Sequence, residues 1–279
     1  MSERPVSRDV SAPIGVFDSG VGGLSVLREI RALLPHEALL YVADSGFAPY
    51  GERSPGYVEQ RSAAIADFLV AEGAKALVVA CNTATAAIAP ALRQRLSIPV
   101  VAIEPAVKPA AMASRSGVIG VLATQQTLSS ARFSRLVTEH AAGVDVLVEP
   151  CPDLVILVER GLIAGPEATA VVGRHVRTLL DRGADTIVLG CTHFHFLRSV
   201  VQAAAGPNVT VIDPGAAVAA ELRRRLESAG LLSARPATHP DRMWTSGELD
   251  QARELIARLW PSPANVRRLP RAYCTPPRA

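Results

Sequence analysis

Two cysteines stand in matching surroundings. Cys81 ends the apolar run ALVVAC and is followed by Asn82, Thr83 and Thr85, while Cys191 ends TIVLGC and is followed by Thr192 and His193. One thiol closing an apolar run reads as a small buried hydrophobe. Two of them, each followed by side chains able to hold an anion, read as chemistry. In open parallel sheets ligands bind outside the carboxyl ends of the strands. A helix starting there supplies backbone N–H groups and a dipole expected to lower a thiol's pKa from its usual value of about 8.5. If both thiols flank one cleft, a thiolate can take a proton from one face of a carbon while a thiol delivers one to the other face. Their roles would exchange with the handedness of the substrate. The α-hydrogen of an amino acid is a weak acid, so charge spreading onto the carboxylate would need preorganised donors. Asn82, Thr83, Thr192 and His193 are the candidates.

Such placement needs a βα-repeating chain, and the sequence has one. Short apolar runs (PIGVFD, LLYVAD, ALVVA, PVVAI, GVIGVLA, VDVLVE, DTIVLG and VTVID) alternate with helical segments such as LSVLREIRALL. The pattern predicts a doubly wound α/β architecture with mainly parallel sheets. An internal likeness divides it: Cys81 lies eight residues after Gly73 as Cys191 does after Gly183, and Ile-Gly-Val opens both halves at Ile14 and Ile119. The chain therefore reads as two pseudo-symmetric lobes with an active site in the cleft between them.

Other residues admit two readings each. Asp18, closing the first run, can cap the turn that follows or accept hydrogen bonds from a substrate ammonium. The glycines of SGVGG permit tight strand-to-helix packing, but they complete neither a dinucleotide nor a P-loop fingerprint. Cys191-x-His193-x-His195 is at most half a zinc site, so no metal is expected. His193 is the better neighbour for tuning Cys191, and His195 reads as a packing or surface residue. Cys151 reads as structural.

The 279 residues carry a formal net charge of only +3, which gives no reason to expect a nucleic-acid partner. The four scattered cysteines form no C-x-x-C pair, and the two lysines, Lys75 and Lys108, lie in no convincing cofactor site. No cofactor is expected. The start, MSERPVSRDVSAP, lacks the apolar core of a signal peptide, and no run approaches the ~18–20 apolar residues of a membrane span. A cytoplasmic protein with no membrane partner is the expectation. The end, RRLPRAYCTPPRA, reads as a solvated terminus.

Taken together, IGVFDSGVGGLSVL, APYGERS, VVACNTATA and LGCTH, in this order across residues 14–193, resemble the glutamate racemases, which are cofactor-independent amino-acid racemases of bacterial cell-wall synthesis. The resemblance implies that Cys81 and Cys191 are the paired acid and base, assisted by Asp18 and His193 respectively. It implies substrate contacts from Asp18, Ser19, Tyr50, Gly51, Asn82, Thr83, Thr192 and His193, and it places Glu159 near the second thiol. A first lobe over 1–103, a second over 104–212 and a return segment over 213–279 are likewise implied, as is a role in supplying D-glutamate for peptidoglycan. Family members are often dimers, so a homodimer is an expectation. The chain departs from the common GCTHYPLL with Phe194 and His195, and CPDLVILVERG departs from the usual pattern around Glu159. A racemase for aspartate or hydantoins, a binding protein without catalysis, and a phosphate enzyme built on SGVGG remain the rival readings.

Overall fold

A computed structural model describes residues 9–237 and 240–276. In chain order its strands are β1 (Ile14–Asp18), β2 (Leu39–Ala43), β3 (Ala76–Val79), β4 (Val100–Ala102), β5 (Val118–Ala123), β6 (Asp145–Pro150), β7 (Thr186–Leu189), β8 (Thr210–Ile212), β9 (Asp241–Thr245) and β10 (Ala264–Arg268). They form a six-stranded sheet, β10-β9-β2-β1-β3-β4, and a four-stranded sheet, β6-β5-β7-β8. All pairings within both sheets are parallel.

The eight runs read as strands all form strands, and the physical reason is burial. Every residue of β1, β2, β3 and β7 is buried, as parallel strands covered by helices on both faces require. Each Val, Leu or Ile so buried contributes about 1.5–3 kcal/mol. Helices start where the sequence provides caps: Ser54 accepts the Tyr57 amide ahead of helix Pro55–Ala71, and Ser130 accepts the Phe133 amide ahead of helix Ala131–His140. Helix Gly215–Ala229 ends at Gly230, whose φ of 65° favours glycine.

The internal likeness is topological as well. The order β2-β1-β3-β4 repeats as β6-β5-β7-β8, and Cys81 and Cys191 each lie two residues beyond the equivalent strands β3 and β7. The chain leaves the first sheet after β4 and enters the second at β5. It returns after β8, when helix Gly215–Ala229 packs on helix Leu24–Leu33 and β9 and β10 extend the first sheet.

The reading of the end as a solvated terminus does not hold. Arg267 and Arg268 belong to β10, Leu269 is buried, and the Tyr273 ring packs edge-on against Phe68. Residues 277–279 of that stretch, and 1–8 of the start, lie outside the described residues. Among the described residues no helix is long and apolar enough to cross a membrane.

Candidate active site

The carboxyl ends of β1, β3, β5 and β7 converge on a tight cleft, with about 20 Å³ of free space, lined by both Cys81 and Cys191. Ser19, Tyr50, Gly51, Asn82, Thr83, Thr192 and His193 line it too. The expected site residues therefore come together in one place, with Asp18 and Glu159 one layer behind the wall.

Cys81 stands at the N-cap of helix Asn82–Arg95, where its Sγ accepts the Ala84 amide at 3.5 Å and donates to Ser19 Oγ at 3.6 Å. The helix was expected to lower its pKa. Burial wins instead: it pushes the thiol up to about 12, with the Asp18 carboxylate adding to it and the hydrogen bonds from Ala84 and with Ser19 opposing. Cys191 precedes the single turn Thr192–His195, too short for a useful macrodipole. Its partner is a ring nitrogen, His193 Nδ1, at 3.7 Å.

On the far side of that ring, Nε2 donates to Glu159 Oε1 at 2.7 Å. Burial opposes the charged imidazole, but the hydrogen bonds to Cys191 and Glu159 outweigh it and hold His193 well above its ordinary value. Behind Cys81, the wholly buried Asp18 accepts the Gly20 amide at 2.8 Å through Oδ1 and the Thr192 hydroxyl at 2.9 Å through Oδ2. Its pKa is raised by burial, against the pull of His193, the Gly20 amide and Thr192. Asp18 thus joins the turn after β1 to the turn after β7.

Other bonds cross the same seam. The Val21 amide donates to Glu159 Oε1 at 2.9 Å, and Thr83 pairs with Thr124 and Thr127 at 3.0 and 3.2 Å. The glycines of SGVGG make room for these contacts. A Cβ on Gly20 would lie 2.0 Å from Glu159 Oε1, and one on Gly22 would lie 2.4 Å from His193 Nδ1. Their use is close approach of the second lobe, not the cradling of a phosphate.

Asn82 is the exception to a well-satisfied site. Both its carboxamide atoms are buried without a hydrogen-bond partner, in the wall of the cleft. Two such orphan groups cost on the order of 1–3 kcal/mol each, a cost that a polar ligand would relieve.

Sequence reasoning missed Thr124 and Thr127, which line the cleft from the second lobe. A signal existed, since TQQT follows β5 as SGVG follows the equivalent strand β1. It also missed Tyr41, whose hydroxyl donates to the Gly20 carbonyl at 2.6 Å and fixes the glycine turn. His195, one residue beyond Phe194 in the departed segment, does not face the thiols. Its Nδ1 lies 3.1 Å from Ser25 Oγ and 3.5 Å from Asp213, and Phe194 is fully buried in the core. Cys151 is also fully buried, with its Sγ donating to the Glu149 carbonyl.

A family model described as Asp/Glu/Hydantoin racemase matches residues 14–222. The chain belongs to this family. It is 52% identical, over 94% of its length and 96% of the relative's, to the glutamate racemase of Methylococcus capsulatus. Among solved structures, a glutamate racemase isoform from Bacillus anthracis superposes with a TM-score of 0.85 at 35% identity, covering 93% of this chain and 97% of that one. The Escherichia coli glutamate racemase, solved in complex with L-glutamate and an activator, gives 0.81 at 32% identity over 89% and 95% of the two chains. The two-lobed racemase fold, all its sheet pairings parallel, is therefore that of the racemase family.

Proposed function

We propose that this racemase interconverts L- and D-glutamate without a cofactor, using Cys81 and Cys191 as its two bases. The observation that carries the reading is that the two thiols line one cleft from equivalent positions in a repeated topology. The substrate is taken from relatives named glutamate racemase that are about half identical to this chain over nearly its whole length.

In the reaction one thiolate removes the α-proton, the electron pair spreads onto the α-carboxylate, and the opposite thiol delivers a proton to the other face. The first cysteine ends as thiol and the second as thiolate, so charge and protons balance. Asn82 and Thr83 hold the carboxylate, and Thr192 supplies a further donor. Tyr50 and Gly51 close the substrate in from the long loop. Ser19 faces the substrate ammonium, with Asp18 buried behind it. The positive charge of the ammonium opposes the part of the rise in Cys81 that comes from the Asp18 carboxylate, while closure on the substrate must offset the larger part, which comes from burial. His193, held by Glu159, shares its proton with Cys191. In the cell the product D-glutamate would feed peptidoglycan synthesis in the cytoplasm.

The test is incubation of L-glutamate with the protein and a thiol reductant in deuterated water, without pyridoxal phosphate or metal. D-glutamate bearing an α-deuteron is the expected product. A folded protein that leaves glutamate unchanged while inverting aspartate or a hydantoin would move the substrate and keep the two-thiol chemistry.

A further inference from the structure

Tyr50 and Gly51 reach the cleft from residues 44–53, a loop built of two short 3-10 turns, Ser45–Phe47 and Tyr50–Glu52. So little regular structure cannot by itself fix a side chain. The Tyr50 hydroxyl donates to Asp44 Oδ2 at 2.5 Å, but Asp44 is itself wholly buried, and a buried carboxylate holds its place only when paired. Arg61, from helix Pro55–Ala71, supplies the pairing as a fork: Nε to Oδ2 at 3.0 Å and Nη2 to Oδ1 at 2.7 Å.

Arg61 is 1% exposed, so the rest of its guanidinium also needs acceptors. They come from the end of the chain. Nη1 donates to the Tyr273 carbonyl at 2.8 Å and to the Thr275 carbonyl at 3.1 Å, while the guanidinium lies 3.7 Å over the Phe47 ring within the same loop. The segment that presents those carbonyls is pinned by Tyr273 against Phe68, and Phe68 against Trp244 of β9.

We propose that the C-terminal segment is a positioning element for the substrate loop, acting through Arg61 and Asp44 on Tyr50. This rests on the reading of Tyr50 and Gly51 as substrate contacts. Neither Arg61 nor Tyr273 lines the cleft, so both act at a distance. Loosening the segment frees Nη1, weakens the hold of the fork on Asp44, and lets Tyr50 leave the geometry that closes the cleft.

The experiment compares full-length Tyr273→Ala, Arg61→Lys and Tyr273→Phe with the unaltered chain. Hydrogen exchange should quicken across residues 44–53 in the first two, with β5 unchanged, since local opening is read segment by segment. KM for glutamate should rise about fivefold with kcat within about twofold, the pattern of lost ground-state binding. Tyr273→Phe, which keeps the ring, should restore both. Unchanged exchange over 44–53 in Tyr273→Ala and Arg61→Lys would overturn the proposal. The exchange arm reads the loop without substrate, so it decides the matter even if glutamate proves to be the wrong amino acid. Arg61→Lys keeps the charge but loses the fork, and a failure of Tyr273→Ala to fold leaves it as the deciding variant.

Discussion

His193 and Val21, on opposite sides of the seam, donate to the same oxygen, Glu159 Oε1, at 2.7 and 2.9 Å. One carboxylate thereby holds an imidazole of one lobe against a backbone turn of the other. Its charge also acts on the ring: with Cys191 it keeps His193 above its ordinary pKa, against burial. A group whose native pKa is raised stabilises the fold fully below its unfolded value, about 6.5 for histidine. That contribution fades as the pH climbs through the elevated native value. Melting temperatures of the unaltered protein and of Glu159→Gln should therefore differ more at pH 6 than in alkaline solution. A gap constant with pH would show that the imidazole is not charged in the resting fold.

Cys81 should be a sluggish nucleophile in the resting protein. With its thiol pushed up to about 12, the thiolate fraction at pH 8 falls about three orders of magnitude below that of an unperturbed cysteine. Mass-spectrometric timing of iodoacetamide labelling should show Cys81 nearly silent at pH 8 and quickening tenfold per pH unit above it. Labelling at the rate of a free thiol would mean that the native cleft does not desolvate it.

Asn82→Leu should stabilise the fold while abolishing binding. The change replaces two buried atoms that have no partner with two methyl groups in the same branched shape, a gain of about 1–3 kcal/mol for each polar group removed, less the cost of fitting the bulkier methyls. It also deletes the donor assigned to the substrate carboxylate. A raised midpoint in denaturant, together with no saturation by glutamate in calorimetry, is the expected pair of results. A less stable protein would mean that the carboxamide is already satisfied.

Gly22→Ala should damage catalysis without touching a reactive atom. The added Cβ would sit 2.4 Å from His193 Nδ1 and 2.7 Å from Thr192 Oγ1. Both neighbours are buried and hydrogen-bonded, so relief of the clash costs about 1–3 kcal/mol and displaces the ring beside Cys191. Racemisation should fall about 10–100-fold. Gly56→Ala, whose Cβ meets nothing within 4 Å, is the control and should leave kcat unchanged.

Of the eight apolar strands, β1, β2, β3 and β7 were legible because every residue is buried and the run holds almost no polar residue, whereas the largely exposed edge strand β6 was legible from its Val-Leu-Val run alone. β9 and β10 were not. DRMWT and ANVRR carry charges at positions where the sheet nears its edge, and Asp241 is answered by Arg31 from another part of the chain. The thiols and the donors beside them were legible because the repeat places them by spacing. Asp44, Arg61 and Tyr273 were invisible as a unit, since a buried ion pair and two carbonyls drawn from residues 44, 61 and 273–275 leave no local pattern.

The two thiols have unlike companions: Cys81 has a serine and a buried carboxylate, and Cys191 an imidazole backed by a glutamate. Mirror-image substrates have equal free energies, so their equilibrium constant is one, and detailed balance forces kcat/KM to be the same in both directions. The chemical inequality of the two lobes cannot make the enzyme prefer one product. It can only divide that shared ratio differently, so that one enantiomer is turned over faster and held more loosely than the other.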